Sequence, residues 1–196
     1  MINSRDVNLL HWKMRDKCKE LIENCKKRGV TLLVTSTVRD DEYQQSLYAQ
    51  GRTKPGNIVT YLKTPTFHSN KVGLAFDVVP LNSKGRPNWN DIRAFNIAGE
   101  EGVKLGLTWG GNWTKFVDRP HFQLGEGLSS KDIRSGKRPE WFYDPEPTVV
   151  KAPLWKEKAV QWGLETGMIS EYHEPLEPLD IGTYLEIERK KALRNE

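Results

Sequence analysis

The stretch Thr66-Phe67-His68-Ser69-Asn70-Lys71-Val72-Gly73-Leu74-Ala75-Phe76-Asp77-Val78-Val79 runs from a polar loop into an apolar run with an acid inside it. Leu74–Val79 is expected to be a short strand, buried on both faces or nearly so. Side chains alternate along a strand, so Ala75 and Asp77 share one face and Leu74 and Phe76 the other. A carboxylate in such surroundings needs a partner, because an isolated buried charge is very costly. His68, just upstream, offers a nitrogen that could share that partner.

A second segment has matching chemistry: Trp109-Gly110-Gly111, then Phe116-Val117-Asp118-Arg119-Pro120-His121-Phe122. Taken singly, a His or an Asp is most often a surface or hydrogen-bonded residue. Taken together, His68, Asp77 and His121 form a three-ligand set that leaves the fourth position of a tetrahedral zinc open for a catalytic water. Asp118 is then the natural base for that water. Pro120 stiffens the backbone between Asp118 and His121 and biases Arg119 towards an extended conformation. His11 and His173 have no ligand-like context.

Outward from these segments, Val7, Leu10, Met14, Cys18, Leu21, Ile22 and Cys25 recur at helical spacing, predicting an amphipathic helix over 6–28 that stops at Gly29. Residues 30–36 predict a strand. Asp40 and Asp41 cap a second helix that runs to about Gln50, and 52–66 reads as a loop. A third helix is expected from Trp89-Asn90-Asp91 to about Leu105, followed by a strand over Pro120–Leu124. The expected fold is α+β: a small antiparallel sheet flanked by helices. Pro139, Pro145, Pro147 and Pro153 mark a linker over 139–153. Beyond it, 154–169 and 180–193 are helical patterns joined by a turn with Pro175 and Pro178. The expected organisation is a catalytic domain over 1–138, the linker, and a helical hairpin over 154–196. The hairpin is too small to be stable alone.

The chain is long enough for a proper core, with 196 residues, and carries a net charge of +4. The sequence pI near 9.0 mildly favours an anionic partner such as a cell-wall polymer. No apolar run approaches the ~20 residues of a membrane-spanning helix. The N-terminus opens no apolar secretory segment, so the expected site of synthesis is a cytoplasm. Cys18 and Cys25 lie on one helix face about 10 Å apart along the axis, too far for a mutual disulfide, and read as buried thiols.

Thr66, His68, Gly73, Ala75 and Asp77, followed by Asp118 and His121, resemble the Ser-x-His…Gly-x-Ala-x-Asp and carboxylate-x-x-His segments of a zinc peptidase family. That family includes D,D-carboxypeptidases and the L-alanyl-D-glutamate endopeptidases of phage endolysins. Val38-Arg39, the run Leu47–Gly56 and Trp109-Gly110-Gly111 resemble the endolysin branch in particular. Thr66 stands where Ser is usual, and the His68–Asp77 gap is two residues longer than usual. The resemblance implies zinc held by His68, Asp77 and His121, with Asp118 as general base. It also implies that Arg39 binds a substrate carbonyl or carboxylate and stabilises the oxyanion. Trp155…Trp162-Gly163…Gly167-Met168-Ile169 is similar to an S-layer-homology-like repeat or to the helical tails of some endolysins; a helical pair that completes the fold is the alternative.

The expected function is a zinc-dependent peptidoglycan hydrolase that cleaves the L-Ala–D-Glu bond of the stem peptide, as a phage endolysin or autolysin acting on the bacterial wall. Its expected partners are the stem peptide and a wall polymer held through the hairpin, with no nucleic acid and no membrane. The alternatives are a D,D-carboxypeptidase with the same zinc site and a non-catalytic wall-binding or nucleic-acid-binding protein.

Overall fold

The computed structural model describes residues 1–147, 161–162 and 164–166. The predicted hairpin over 154–196 falls almost wholly outside the described residues. The chain divides into two units, Met1–Glu146 and Pro147–Glu196. The boundary falls inside the proline-rich stretch.

The first unit is built on four helices and four strands: α1 (Trp12–Lys27), β1 (Leu32–Ser36), α2 (Asp41–Ala49), β2 (Ala75–Pro80), α3 (Ile92–Lys104), β3 (Thr108–Trp109), β4 (His121–Gln123) and α4 (Ser130–Arg134). The sheet order is β1-β2-β4-β3, and every neighbouring pair is antiparallel. This is the expected α+β architecture.

Helix α1 buries Met14, Cys18, Leu21 and Cys25, one apolar stripe at helical spacing. It starts later than its pattern suggests. Val7–Leu9 forms a separate 3-10 turn, and His11 caps the helix, its Nδ1 accepting from Lys13 N. The periodicity runs through this break because Leu10 is buried on the same core. Helix α3 lies close against the sheet. A Cβ at Gly102 would stand 2.4 Å from the Phe122 ring, and one at Gly99 would stand 2.3 Å from Trp109.

The register decides which side chains meet. Phe76 pairs with Phe122, and Asp77 with His121. By alternation the two Phe rings fall on one face, stacked 5.6 Å apart beneath α3. Asp77, His121 and Gln123 fall on the other. Burying each Phe contributes roughly 1.5–3 kcal/mol relative to exposure, so the apolar face fixes the register that sets the polar one.

Two further segments frame the polar face. Residues 2–4 run alongside 37–40, through Ser4 N to Val38 O at 2.9 Å, Thr37 N to Ser4 O at 2.7 Å and Asp40 N to Ile2 O at 3.0 Å. Arg39 N in turn donates to His68 O at 2.8 Å, and Asn70 N to Arg39 O at 2.9 Å. The His68 loop is thereby tied to the segment that carries Arg39. Residues Glu140–Tyr143, within the predicted linker, form a 3-10 turn. Trp141 and Phe142 pack on the core, and Phe142 O lies 2.9 Å from His11 Nε2.

Candidate metal centre and active-site cleft

Three elements deliver the predicted ligands to one point. Asp77 comes from β2, His121 from its partner strand β4, and His68 from the loop before β2. His68 Nε2 lies 3.2 Å from Asp77 Oδ1 and 3.2 Å from His121 Nδ1. His121 Nδ1 lies 3.1 Å from Asp77 Oδ1. Among the described residues this is the group of His, Cys, Asp and Glu that could hold a metal ion, its donor atoms all within 4.8 Å of one another.

The outer faces of these side chains fix their inner faces. His68 Nδ1 lies 2.7 Å from Thr37 O, an atom that only accepts, so Nδ1 carries the proton and the Nε2 lone pair points inward. His121 Nε2 lies 3.0 Å from Gln123 Oε1, which likewise only accepts, so the Nδ1 lone pair points inward. Asp77 Oδ2 accepts from Arg39 Nη2 at 2.8 Å and leaves Oδ1 facing the two nitrogens. Three acceptors thus converge in a buried place with no donor of their own between them. A divalent cation satisfies such a set, and outer partners of this kind orient imidazole ligands in metal sites. The donor chemistry fits a metal.

The electrostatics agree. Burial alone would raise the Asp77 carboxyl, but the charge and hydrogen bonds of His68 and His121 outweigh it and hold that carboxyl well below the usual carboxylate range. Burial pushes the His68 imidazole down. It acts the same way on His121, where hydrogen bonding and charge from Asp77, then Asp118, reverse the outcome and raise it.

The centre opens into a cleft of about 770 Å³ whose wall includes Asp118. Asp118 N donates to Gly110 O at 2.9 Å, and its own carbonyl accepts from His121 N at 3.2 Å. The base candidate is therefore held by backbone on both sides. Any side chain at Gly110 would put its Cβ 2.4 Å from Asp118 O, so only glycine permits this approach. Burial raises the Asp118 carboxyl; the attraction of His121 partly offsets this, and the negative charge of Asp77 adds to it.

Comparison with known proteins gives the chemistry a family. A family model described as D-alanyl-D-alanine carboxypeptidase matches residues 63–124, the span that holds all three ligand candidates and Asp118. The peptidoglycan L-alanyl-D-glutamate endopeptidase CwlK of Bacillus subtilis is 32% identical over 123 residues, which cover 59% of this chain and 73% of that protein. This chain belongs to the M15 peptidase family. The L-alanyl-D-glutamate peptidase of Listeria phage A118 is 27% identical over 126 residues, 61% of this M15 peptidase but 39% of the phage protein. A crystal structure of the Serratia marcescens L-Ala D-Glu endopeptidase ChiX superimposes with a TM-score of 0.41 at 18% identity, covering 68% of this chain and 92% of that one.

Within this M15 peptidase, the residues singled out in the sequence all line the one cleft: Arg39, Thr66, His68, Asp77, Asp118 and His121. Thr66 does not reach inward as a ligand. Its Oγ1 accepts from His68 N at 3.2 Å and its own N donates to Ser69 Oγ at 2.8 Å, closing the His68 loop on itself. Arg39 is more committed than its predicted role suggests: besides Asp77, its Nε donates to Ser36 Oγ at 3.2 Å and its Nη1 to Gln44 Oε1 at 3.3 Å. Sequence reasoning missed Thr37, Gln44 and Gln123. Gln123 had a signal, since in a strand it shares a face with His121 two residues before it. Gln44 is buried at 2% exposure and joins Arg39 to Leu62 O, a contact no periodicity announces.

Proposed function

We propose that this M15 peptidase hydrolyses the L-alanyl–D-glutamate bond of the peptidoglycan stem peptide, with zinc held by His68 Nε2, Asp77 Oδ1 and His121 Nδ1. The observation that carries the reading is the convergence of three outward-anchored acceptors beside a half-buried carboxylate, Asp118, in one cleft. The named activities of the Bacillus and phage relatives supply the bond.

Zinc bound there supplies Lewis acidity to the scissile carbonyl and to an attacking water. The rest falls to the chain. Asp118, its carboxyl raised by burial, takes the water's proton and passes it to the leaving amine. Arg39 has N–H donors beyond those it spends on Asp77, Ser36 and Gln44, and we assign them to the developing charge on the carbonyl oxygen. The cleft wall keeps both groups partly out of water, which strengthens each interaction.

A D,D-carboxypeptidase is the second reading. It needs a cation reserved for a chain-terminal carboxylate. Arg39 is the one Lys or Arg among the described residues lining the cleft, and it is paired with Asp77. That pairing favours an internal bond. We further propose that the protein works as a phage endolysin or autolysin, and that residues 154–196 attach it to the wall.

Digestion of purified sacculi by zinc-loaded protein, followed by mass spectrometry of the muropeptides, tests the reading. New peptides that begin with D-glutamate support it. Release of D-alanine alone would make the protein a carboxypeptidase.

A further inference from the structure

A second cavity, of about 360 Å³, adjoins the catalytic cleft. The two share Trp89, Asp118 and Pro120, so the segment that carries the proposed base is also the partition between them. No step of the proposed reaction uses this second space.

Its lining has a definite character. Trp89 is 57% exposed and presents an indole ring to solvent at the junction. Ile92 and Val117 add an apolar floor, and Asn90 and Arg119 supply polar groups. Among the described residues, the Arg119 side chain has no hydrogen bond or ion pair, while its backbone carbonyl is fixed by Trp109 Nε1 at 2.7 Å. A flat aromatic face beside an amide and an uncommitted guanidinium suits a ring with an apolar face and a polar rim. An N-acetylated sugar has that shape: its C–H face packs on an indole, and its hydroxyl and acetamido oxygens accept from Asn and Arg.

Resting on the proposed peptidase reading, we infer that the cavity behind Trp89 is a saccharide subsite for the N-acetylated sugar that carries the stem peptide. The substrate's own chemistry requires a sugar nearby. L-Alanine is the first stem residue, joined to muramic acid through its lactyl group, so the ring lies roughly 7 Å from the scissile bond, about two residues of extended chain. The neighbouring cavity begins at Asp118, the residue placed at that bond. A protein with this subsite selects stem peptides still attached to glycan over free peptides.

Two measurements test the inference. In the first, the peptide-free disaccharide of N-acetylglucosamine and N-acetylmuramic acid is titrated into protein with 15N-labelled tryptophan. Of the 7 indole resonances, the one that Trp89→Ala removes should shift; if it stays in place at millimolar disaccharide, the subsite does not exist. In the second, kcat/KM is compared on a disaccharide-tripeptide and on the free tripeptide. Trp89→Ala and Arg119→Gln should each reduce the preference for the glycan-bearing substrate by about fivefold to tenfold, the size of one ring contact. Equal losses on both substrates would overturn the inference. If the zinc-loaded wild type cleaves neither substrate, the peptidase reading falls, and the disaccharide titration still decides the subsite.

Discussion

Asp77 and His121 are direct partners in the register of β2 and β4, and their side chains also meet, Oδ1 to Nδ1, at 3.1 Å. Two ligand candidates therefore owe their juxtaposition to strand pairing. Phe76 and Phe122, next in register and on the opposite face, lock that pairing from beneath. The third ligand candidate, His68, is held separately through Thr37 O and the backbone of Arg39.

His121→Ala should therefore abolish metal binding and activity together while leaving the Phe76–Phe122 core intact. Metal analysis of the purified variant checks this. Stoichiometric zinc on that variant would refute the ligand set. Added zinc should raise the wild-type melting temperature, since a ligand that binds only the folded state stabilises it, and should leave that of His121→Ala unchanged.

Asp118→Asn should keep its zinc and its fold and lose about 10²–10⁴-fold in rate, the usual worth of a general base. The base works ionised, and burial, aided by Asp77, lifts its carboxyl above the ordinary value of 3.8. Activity should therefore fall on the acid side as pH drops through that raised value, at a higher pH than an ordinary carboxyl would give. A kcat/KM profile in which Asp118→Asn leaves the acid limb in place would assign that limb to another group.

Gly110→Ala separates position from chemistry. The added Cβ would stand 2.4 Å from Asp118 O, 3.1 Å from Asp118 Cβ and 3.2 Å from His121 Cβ, so the loop must move. Overpacking of this kind costs about 1–3 kcal/mol. A stability loss in that range, with kcat reduced and the aspartate still present, is the expected result in denaturant melts and steady-state kinetics.

Cys18 and Cys25 should resist thiol reagents in the native state. Burial pushes Cys18 up to about 12 and Cys25 up to about 11, so the reactive thiolate is scarce at neutral pH. Raised acids favour the fold while they stay protonated. Their contribution is full below the ordinary value of 9.0 and is lost as pH rises towards 11–12. Labelling that appears only with denaturant, and a melting temperature that declines above about pH 9, would bear this out.

Much of this was legible in the sequence because hydrophobic pattern carries it. The stripe Met14–Cys18–Leu21–Cys25 announces α1, and the run around Phe76 announces β2. Strand β3, Thr108–Trp109, is too short to show an alternation. It exists because Trp109 is 8% exposed, packed against Phe122 and α3. At the centre, residue types and spacing pointed to His68, Asp77 and His121, and Arg39 and Gln123 left signals of their own, but Thr37 and Gln44 were not legible. Thr37 acts through its backbone carbonyl, which any residue has. Gln44 braces Arg39 while its amide nitrogen donates to Leu62 O, 18 residues on. Such contacts depend on tertiary approach, and local pattern does not encode it.

The bond between β2 and β4 has a consequence for how the protein acquires its metal. Asp77 and His121 are 44 residues apart in the chain, and His68 and His121 are 53. Closing loops of that length precedes any gain from the contacts they make, and the unfolded chain holds the three donors far from one another. A metal that takes all three donors at once would therefore need the paired strands in place, and would bind the folded scaffold in preference to the open chain. An apo chain that already holds this fold would then keep the three donors waiting for a metal, so metal supply and folding would be separable in a refolding experiment.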